Sequence, residues 1–307
     1  MELVELGNTG MKVSRIALGL AEISRQQKLK QVEKPDEVLN TALDSGINVL
    51  DTAPCYGHTE ELIGAAVSHR RDEFYLATKC GHDLDENSRP DEESPRSWTA
   101  EVVEESIDRS LRRLRTDHLD LVQLHSPDLD VLQRGEVIDA LVRARDAGKT
   151  RFIGLSADNE TARWGVESGV FATLQTSFNL VEQRARTTGL FELAKAKGVG
   201  VLIKRPFANG VWGKDESPYS YGDEYFGRAR DMKKPGPVAG APDDPVLLAL
   251  GFTLSQPEID TIIVGTHNPA HVRSNIAMLD ELPIAQQAIE ELRRRFDQVG
   301  RDWPQLT

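Results

Sequence analysis

Two cysteines in 307 residues, Cys55 and Cys80, are too few for a disulfide framework and suit a reducing compartment. Positive charge is short as well. Lys and Arg number 37 against 49 Asp and Glu, a net charge of −12, which argues against a general binder of nucleic acid or anionic membrane. No apolar run approaches the roughly 18–20 residues of a membrane span, and the opening MELVELGNTGMKVSRI lacks the charged-then-apolar layout of a signal peptide. A cytoplasmic location is the expectation. The first strand-to-turn segment, GLAEISRQ, has no G-x-G-x-x-G, so a dinucleotide-binding open sheet is disfavoured. No linker-like boundary divides the chain either, and residues 1–307 read as one domain.

What is present is a recurring unit: a short apolar run, a turn, then a helical pattern. The runs are IALGL (16–20), INVLD (47–51), FYLATK (74–79), LDLVQLH (119–125), RFIGLS (151–156), ATLQT (172–176), GVLIK (200–204) and TIIVG (261–265). Such continuous apolar stretches suit strands covered on both faces. Helical patterns fall at 36–45, 59–69, 99–114, 131–147, 160–168, 188–197, 244–255 and 285–299. In the third, Val103, Ile107, Leu111 and Leu114 form an apolar stripe, and Thr99 is placed to start the helix. Asp44-Ser45-Gly46 and Ala147-Gly148-Lys149 read as helix ends. Eight alternations predict an α/β fold, a single (β/α)8 TIM barrel of ordinary size. LVEL, Gly7-Asn8-Thr9-Gly10 and KVSRI predict a short N-terminal β-hairpin. Residues 82–98 and 205–243 are read as extra loops over the C-terminal face, the longer one without regular structure of its own.

Three successive runs end on Asp51, Lys79 and His125, with Tyr56 just past the first. Strand tips of a parallel barrel share one face, where active sites are built. A phenol near pKa 10 is a poor acid at neutral pH unless a cation favours its phenolate. Lys79 is the candidate cation, Asp51 would hold it, and His125 would bind or protonate a carbonyl oxygen, so a phenol made more acidic is expected. Asp51 and His125 could also ligate a metal, but no further His or carboxylates stand at strand ends with metal spacing, and no metal is expected.

At these residues the chain resembles the aldo-keto reductase family. The stretches DTAPCYGHTEELIGAAV, YLATKCG, SLRRLRTDHLDLVQLHSPD, RFIGLSAD, LQTSFNL, GVGVLIKRPFANG and IIVGTHNPAHVRSNI carry it, in order along the chain. The resemblance implies the same barrel and a catalytic tetrad of Tyr56 (acid and base), Lys79, Asp51 and His125. It also implies a nicotinamide cofactor, NADP(H) favoured and NAD(H) as the alternative. Ser156 and Gln175 match residues that hold the nicotinamide amide, while Ala157 stands where asparagine is usual. The run Lys204-Arg205-Pro206-Phe207 replaces a stretch with a ring-stacking aromatic, for which Phe207 or Trp212 are substitutes to test. Gly265, Thr266, His271, Arg273 and Asn275 fall on the adenosine-phosphate loop, where Gly265 and His271 replace the usual cations. Arg273, Lys204 or Arg205 are then the candidates for gripping a 2′-phosphate.

The implied activity is reduction of an aldehyde or ketone, or oxidation of the corresponding alcohol or sugar. The substrate is a small molecule, with neither nucleic acid nor membrane as partner, and the protein a monomer or small homo-oligomer. The alternative is a cofactor-binding regulatory subunit with little turnover. Trp98, Trp212, Tyr219, Tyr221, Tyr225 and Phe226 are candidates for an apolar substrate pocket. Cys55 and Cys80 read as small buried fillers, with the sharper possibility that oxidation of a thiol beside the tetrad inhibits turnover.

Overall fold

The computed structural model describes residues 1–28, 34–83, 94 and 96–306. The chain begins with β1 (Leu3–Glu5) and β2 (Lys12–Ser14), an antiparallel hairpin pairing Val4 with Val13. Its turn needs glycine at position 7, where φ is +50° and a Cβ would lie 2.3 Å from the Gly200 nitrogen. Eight strands follow: β3 (Ile16–Gly19), β4 (Val49–Asp51), β5 (Tyr75–Cys80), β6 (Leu119–His125), β7 (Thr150–Ser156), β8 (Thr173–Ser177), β9 (Gly200–Lys204) and β10 (Thr261–Gly265). They are parallel, each bonded to the next, and β10 pairs with β3 to close the barrel. The expected barrel and hairpin are both present.

Alternation along each strand sorts side chains between two cores. Ala17, Val49, Ala77, Leu121, Leu202 and Ile263 fill the barrel interior, joined from below by Leu6, Met11 and Val13 of the hairpin. Outward residues such as Leu18, Leu50, Leu76, Val122, Leu155 and Ile203 pack under the surrounding helices. Burying each such aliphatic side chain contributes about 1.5–3 kcal/mol. Thr99 caps the helix Ala100–Leu114 by accepting from the Val102 nitrogen at 3.3 Å. Gly46 and Gly148, at φ +86° and +77°, close their helices as expected.

Two helical expectations need correction. The stretch 131–147 is two helices, Leu129–Arg134 and Glu136–Asp146, parted by Gly135 at φ +80°. The stretch 188–197 holds the helix Leu190–Lys197 as expected, with Gly189 at φ +70° between it and a preceding short helix, Arg184–Thr187. The segment 205–243, read as irregular, contains the helix Asp223–Lys233, whose Tyr225, Arg228, Ala229 and Met232 are buried. An arginine in that stripe disguised it. Arg228 is 2% exposed because Glu182 meets its guanidinium at 2.6 Å. Tyr225 is buried in the main core and Phe226, half-buried, packs against it. Of the predicted loop 82–98, residues 84–93 and 95 lie outside the described residues. Among the described residues no helix is long and apolar enough to cross a membrane.

Candidate active site

Asp51 ends β4 and is 4% exposed, Lys79 lies one residue before the end of β5 and is 1% exposed, and His125 ends β6. Lys79 Nζ donates to Asp51 Oδ2 at 2.7 Å and to the Thr52 carbonyl at 2.9 Å. The ammonium sits 5.0 Å from the centre of the Tyr56 ring. That ring meets His125 edge-on, with centroids 5.7 Å apart. The four residues are thus brought together at three strand tips and one turn.

Gln175 on β8, expected among the cofactor residues, is also joined to this group. Its Nε2 donates to Asp51 Oδ1 at 2.9 Å, and its Oε1 accepts from the Ser156 hydroxyl at 3.0 Å. Ser156, Gln175, Asp51 and Lys79 form one hydrogen-bonded chain across the barrel. A buried ion pair is tolerated only when its remaining hydrogen-bonding capacity is met; here Thr52 and Gln175 supply the further partners.

The electrostatics differ from the expectation in one respect. Burial pushes the Tyr56 phenol up to about 12, and the charge of Lys79 opposes this without overcoming it. The phenol is therefore not made acidic by its neighbour, as the sequence suggested; Lys79 limits a rise that desolvation causes. Burial works to lower the Lys79 pKa, but the charges of Asp51 and Tyr56 outweigh it and the net direction is up, so Lys79 stays an ammonium. Burial, with Lys79, His82, Lys204 and Arg205 nearby, holds His125 well below the usual histidine range, and its ring is neutral.

The run after β9 is placed otherwise than a phosphate grip requires. Lys204 Nζ is 3.0 Å from Asp158 Oδ2. Asp158, just beyond β7, also accepts from the Thr176 hydroxyl at 2.9 Å and the Ser177 nitrogen at 2.7 Å. Burial alone would raise Asp158, yet Lys204 and Arg205 bring it below the ordinary range. Arg205 donates to the Ser177 hydroxyl at 3.1 Å and sits at φ +58°, a conformation costly for a residue with a Cβ, with Asn179 bonding its carbonyl at 3.0 Å. Both cations are engaged beside the tetrad, and both contribute to the field at His125. Pro206 is buried, and Phe207 and Trp212 pack against the core.

At the far side of the mouth, Gly265 ends β10 and is exposed, and a Cβ there would lie 3.1 Å from the Glu22 Cβ. The Thr266 hydroxyl accepts from the Asn268 nitrogen at 3.1 Å and meets His271 Nδ1 at 3.4 Å, so this loop is bonded to itself. Asn268 caps the helix Pro269–Ala277 through the Ala270 nitrogen. On that helix Arg273 and His271 are exposed and Asn275 is buried. Glu22 and Arg25, from the helix Ala21–Lys28 after β3, are bonded at 2.8 and 2.6 Å, and Arg25 stacks 4.3 Å over Tyr219 of the long β9 connection.

Cys55, read as a small filler or an oxidisable thiol, has its Sγ 3.5 Å from His125 Nδ1. Two contributors escaped the sequence reading. Asp158 is one, and strand alternation two residues past Ser156 was a usable signal. The other is His82, whose Nε2–H donates to the His125 carbonyl at 2.9 Å while its ring packs on Trp98, centroids 4.9 Å apart. Trp98 reaches that position because Gly81, at φ +116°, has no Cβ; one would lie 2.2 Å from the indole. Gly81→Ala is expected to destabilise the fold by about 1–3 kcal/mol, read as a lower thermal midpoint with His82 displaced.

A cavity of about 10 Å³ touches Lys79, Cys55 and His125, room for one water at most. A cleft of about 290 Å³ opens beyond the tips of β7 and β8, lined by residues including Asp158, Ser177, Glu182 and Arg184. Among the described residues no group of three His, Cys, Asp or Glu could hold a metal.

Comparison with known proteins bears on what such a site does. The sequence model of the Aldo/keto reductase family matches residues 15–295. The chain is 28% identical to L-galactose dehydrogenase of Arabidopsis thaliana over 326 residues, covering 99% of this chain and 97% of that protein. It is 33% identical to the aldo-keto reductase YhdN of Bacillus subtilis (strain 168) over 246 residues, 76% of this chain and 71% of that one. Among solved structures, the holo form of an aldo-keto reductase from Bacillus halodurans superposes with a TM-score of 0.77 at 24% identity, covering 96% of each chain, a likeness of fold.

Proposed function

The chain belongs to the aldo/keto reductase family, and from that premise we propose a nicotinamide-dependent oxidoreductase that reduces an aldehyde or ketone, or oxidises the corresponding alcohol or sugar. The carrying observation is the buried Lys79–Asp51 pair, 2.7 Å long and 5.0 Å from the Tyr56 ring. An ammonium held there has one evident chemical use, to stabilise a phenolate that forms when Tyr56 gives up its proton. The relative named L-galactose dehydrogenase supports a sugar as the alcohol.

The residues present fit the cofactor. Ser156 uses its hydrogen on Gln175 and keeps lone pairs for a carboxamide N–H. Gln175 keeps a second amide hydrogen beyond the one on Asp51. Gly265 is exposed at the tip of β10, where the Glu22 side chain leaves little room for a Cβ. When bound, the nicotinamide supplies or accepts the hydride at its ring carbon. In reduction the neutral His125 donates a hydrogen bond to the carbonyl oxygen and orients it. Tyr56 delivers the proton to that oxygen as negative charge develops. Lys79 steadies the phenolate left behind, and Asp51, Gln175 and Thr52 keep Lys79 in place. A steady-state screen of aldehydes, ketones and sugars with each nicotinamide cofactor tests the proposal; cofactor binding without turnover of any of them would favour the regulatory alternative.

A phenol titrating near 12 gives the two directions different pH behaviour. Below that value Tyr56 is protonated, so reduction has its acid throughout the neutral range. Oxidation needs the deprotonated form, which grows about tenfold per pH unit. Reduction is thus expected to be flat between neutral and mildly alkaline pH, while kcat/KM for oxidation climbs steadily. A plateau in oxidation already at neutral pH would assign the base to another group.

NADP(H) is the favoured cofactor, with the 2′-phosphate grip assigned to Arg273. Lys204 and Arg205 are held by Asp158 and Ser177, whereas Arg273 is exposed on the helix after the phosphate loop. Arg273→Ala is expected to weaken NADPH binding about 10–100-fold and leave NADH unchanged, measured by tryptophan-fluorescence titration. Equal effects on both would remove Arg273 from the 2′-phosphate.

A further inference from the structure

Cys55 precedes Tyr56 on the turn after β4, is half-buried, and lies outside the tetrad scheme. Its Sγ is 3.5 Å from Nδ1 of His125. The imidazole is neutral in this setting, crowded by burial and by Lys79, His82, Lys204 and Arg205. A neutral imidazole carries a single ring hydrogen, and the nitrogen without it is only an acceptor. Were the hydrogen on Nδ1, Nε2 would present a lone pair, which repels a carbonyl oxygen. With the hydrogen on Nε2, that nitrogen donates. The partner of the opposite nitrogen decides between the two forms.

At Nδ1 that partner is a thiol. A thiol is a weak donor and a weak acceptor, but its large, diffuse sulfur lone pairs draw an N–H less than the compact lone pair of a bare imidazole nitrogen draws an S–H, so the favourable arrangement has S–H pointing to a bare Nδ1. The His82 hydrogen bond does not compete, since it is made to the His125 carbonyl, and the two rings meet edge-to-face with centroids 5.3 Å apart. The geometry points to Cys55 as a positioning residue that selects the Nε2–H form of His125 and so makes it a hydrogen-bond donor to the substrate oxygen. The benefit to catalysis rests on the carbonyl chemistry proposed above; the choice of tautomer does not. Alkylation of the Cys55 sulfur deletes the hydrogen and with it the selection. Cys80 is an internal contrast: it is buried, its thiol is pushed well up by desolvation, and its Sγ meets the Gln123 carbonyl at 3.7 Å.

The test is ¹⁵N NMR of histidine-labelled full-length protein, with the His125 signals assigned from a His125→Asn sample. Wild type and Cys55→Ser, which keeps a donor, should place Nδ1 in the acceptor range and Nε2 in the N–H range. Cys55→Val should lose that pattern, and Cys55→Ala repeats the test without added bulk. On a substrate found by the carbonyl screen, Val and Ala should lower kcat about 10–100-fold with little change in KM, and Ser should stay within about threefold of wild type. A wild-type hydrogen on Nδ1, or an unchanged Nε2–H pattern in both Val and Ala, overturns the assignment. The expected spectra in a protein that turns over no carbonyl would uphold the role of Cys55 while removing the reductase reading.

Discussion

Tyr56→Phe is expected to lower kcat for carbonyl reduction by about 10²–10⁴-fold while leaving the cofactor affinity as it was. Phenylalanine keeps the ring that meets His125 edge-on at 5.7 Å and removes only the hydroxyl, so the fold has no reason to change. The size of the loss follows from how the proton is released. Burial makes the phenol a weaker acid than free tyrosine. The nearby ammonium repays part of that when the phenolate forms. The ammonium lies 5.0 Å from the ring centre, and opposite unit charges at roughly that range attract by about 3 kcal/mol at an effective dielectric of about 20, on the order of a hundredfold in acid strength. Parallel single-turnover kinetics and fluorescence titration separate chemistry from binding. A Phe variant reducing its substrate at the wild-type rate would falsify the assignment of Tyr56 as the acid.

Lys79→Met removes the same charge with a different consequence. Asp51 would remain 4% exposed with Gln175 as its side-chain partner and no cation. Breaking a buried pair in this way typically costs about 3–5 kcal/mol, so the urea midpoint should fall sharply and turnover should be lost with it. The double variant Lys79→Met, Asp51→Leu should recover much of the stability and none of the activity. The sign of the pH dependence also follows. The Lys79 pKa is raised in the folded protein, so its stabilisation is complete below the ordinary lysine range and is lost as pH rises through the higher folded value. The gap between wild type and the Met variant should therefore be full at neutral pH and narrow only in strong alkali. A Met variant as stable as wild type would mean that Asp51 is already satisfied without the lysine.

The meeting of Asp51, Tyr56, Lys79 and His125 could be read from the chain because each falls at or just past the end of an apolar run, and a parallel barrel sends all such ends to one face. Asp51, Lys79 and His125 needed only that rule. Lys204 did not obey so simple a reading. Its charge suggested a phosphate, whereas the partner it meets, Asp158, lies beyond the tip of another strand, and pairing between strand tips depends on barrel register. Tyr56 illustrates a second limit. A charged neighbour can be guessed from sequence, but the depth of burial that outweighs it cannot. In the helix Asp223–Lys233 the stripe was legible except for Arg228, which is buried through the distant Glu182. Gln175 was placed correctly on its strand, but its bond to Asp51 spans 124 residues of sequence.

The hairpin β1–β2 has an effect that reaches the chemistry. Leu6, Met11 and Val13 stopper the barrel at the end opposite the tetrad, with the Asn8 nitrogen tied to the Gly198 carbonyl at 2.8 Å and the Gly7 nitrogen to Asp260 at 3.1 Å. The interior above it is filled with side chains rather than open, so the hairpin completes the foot of a solid plug. Lys79, 1% exposed, rests on that plug, and among the described residues its charge is kept dry from beneath by packing that the hairpin finishes.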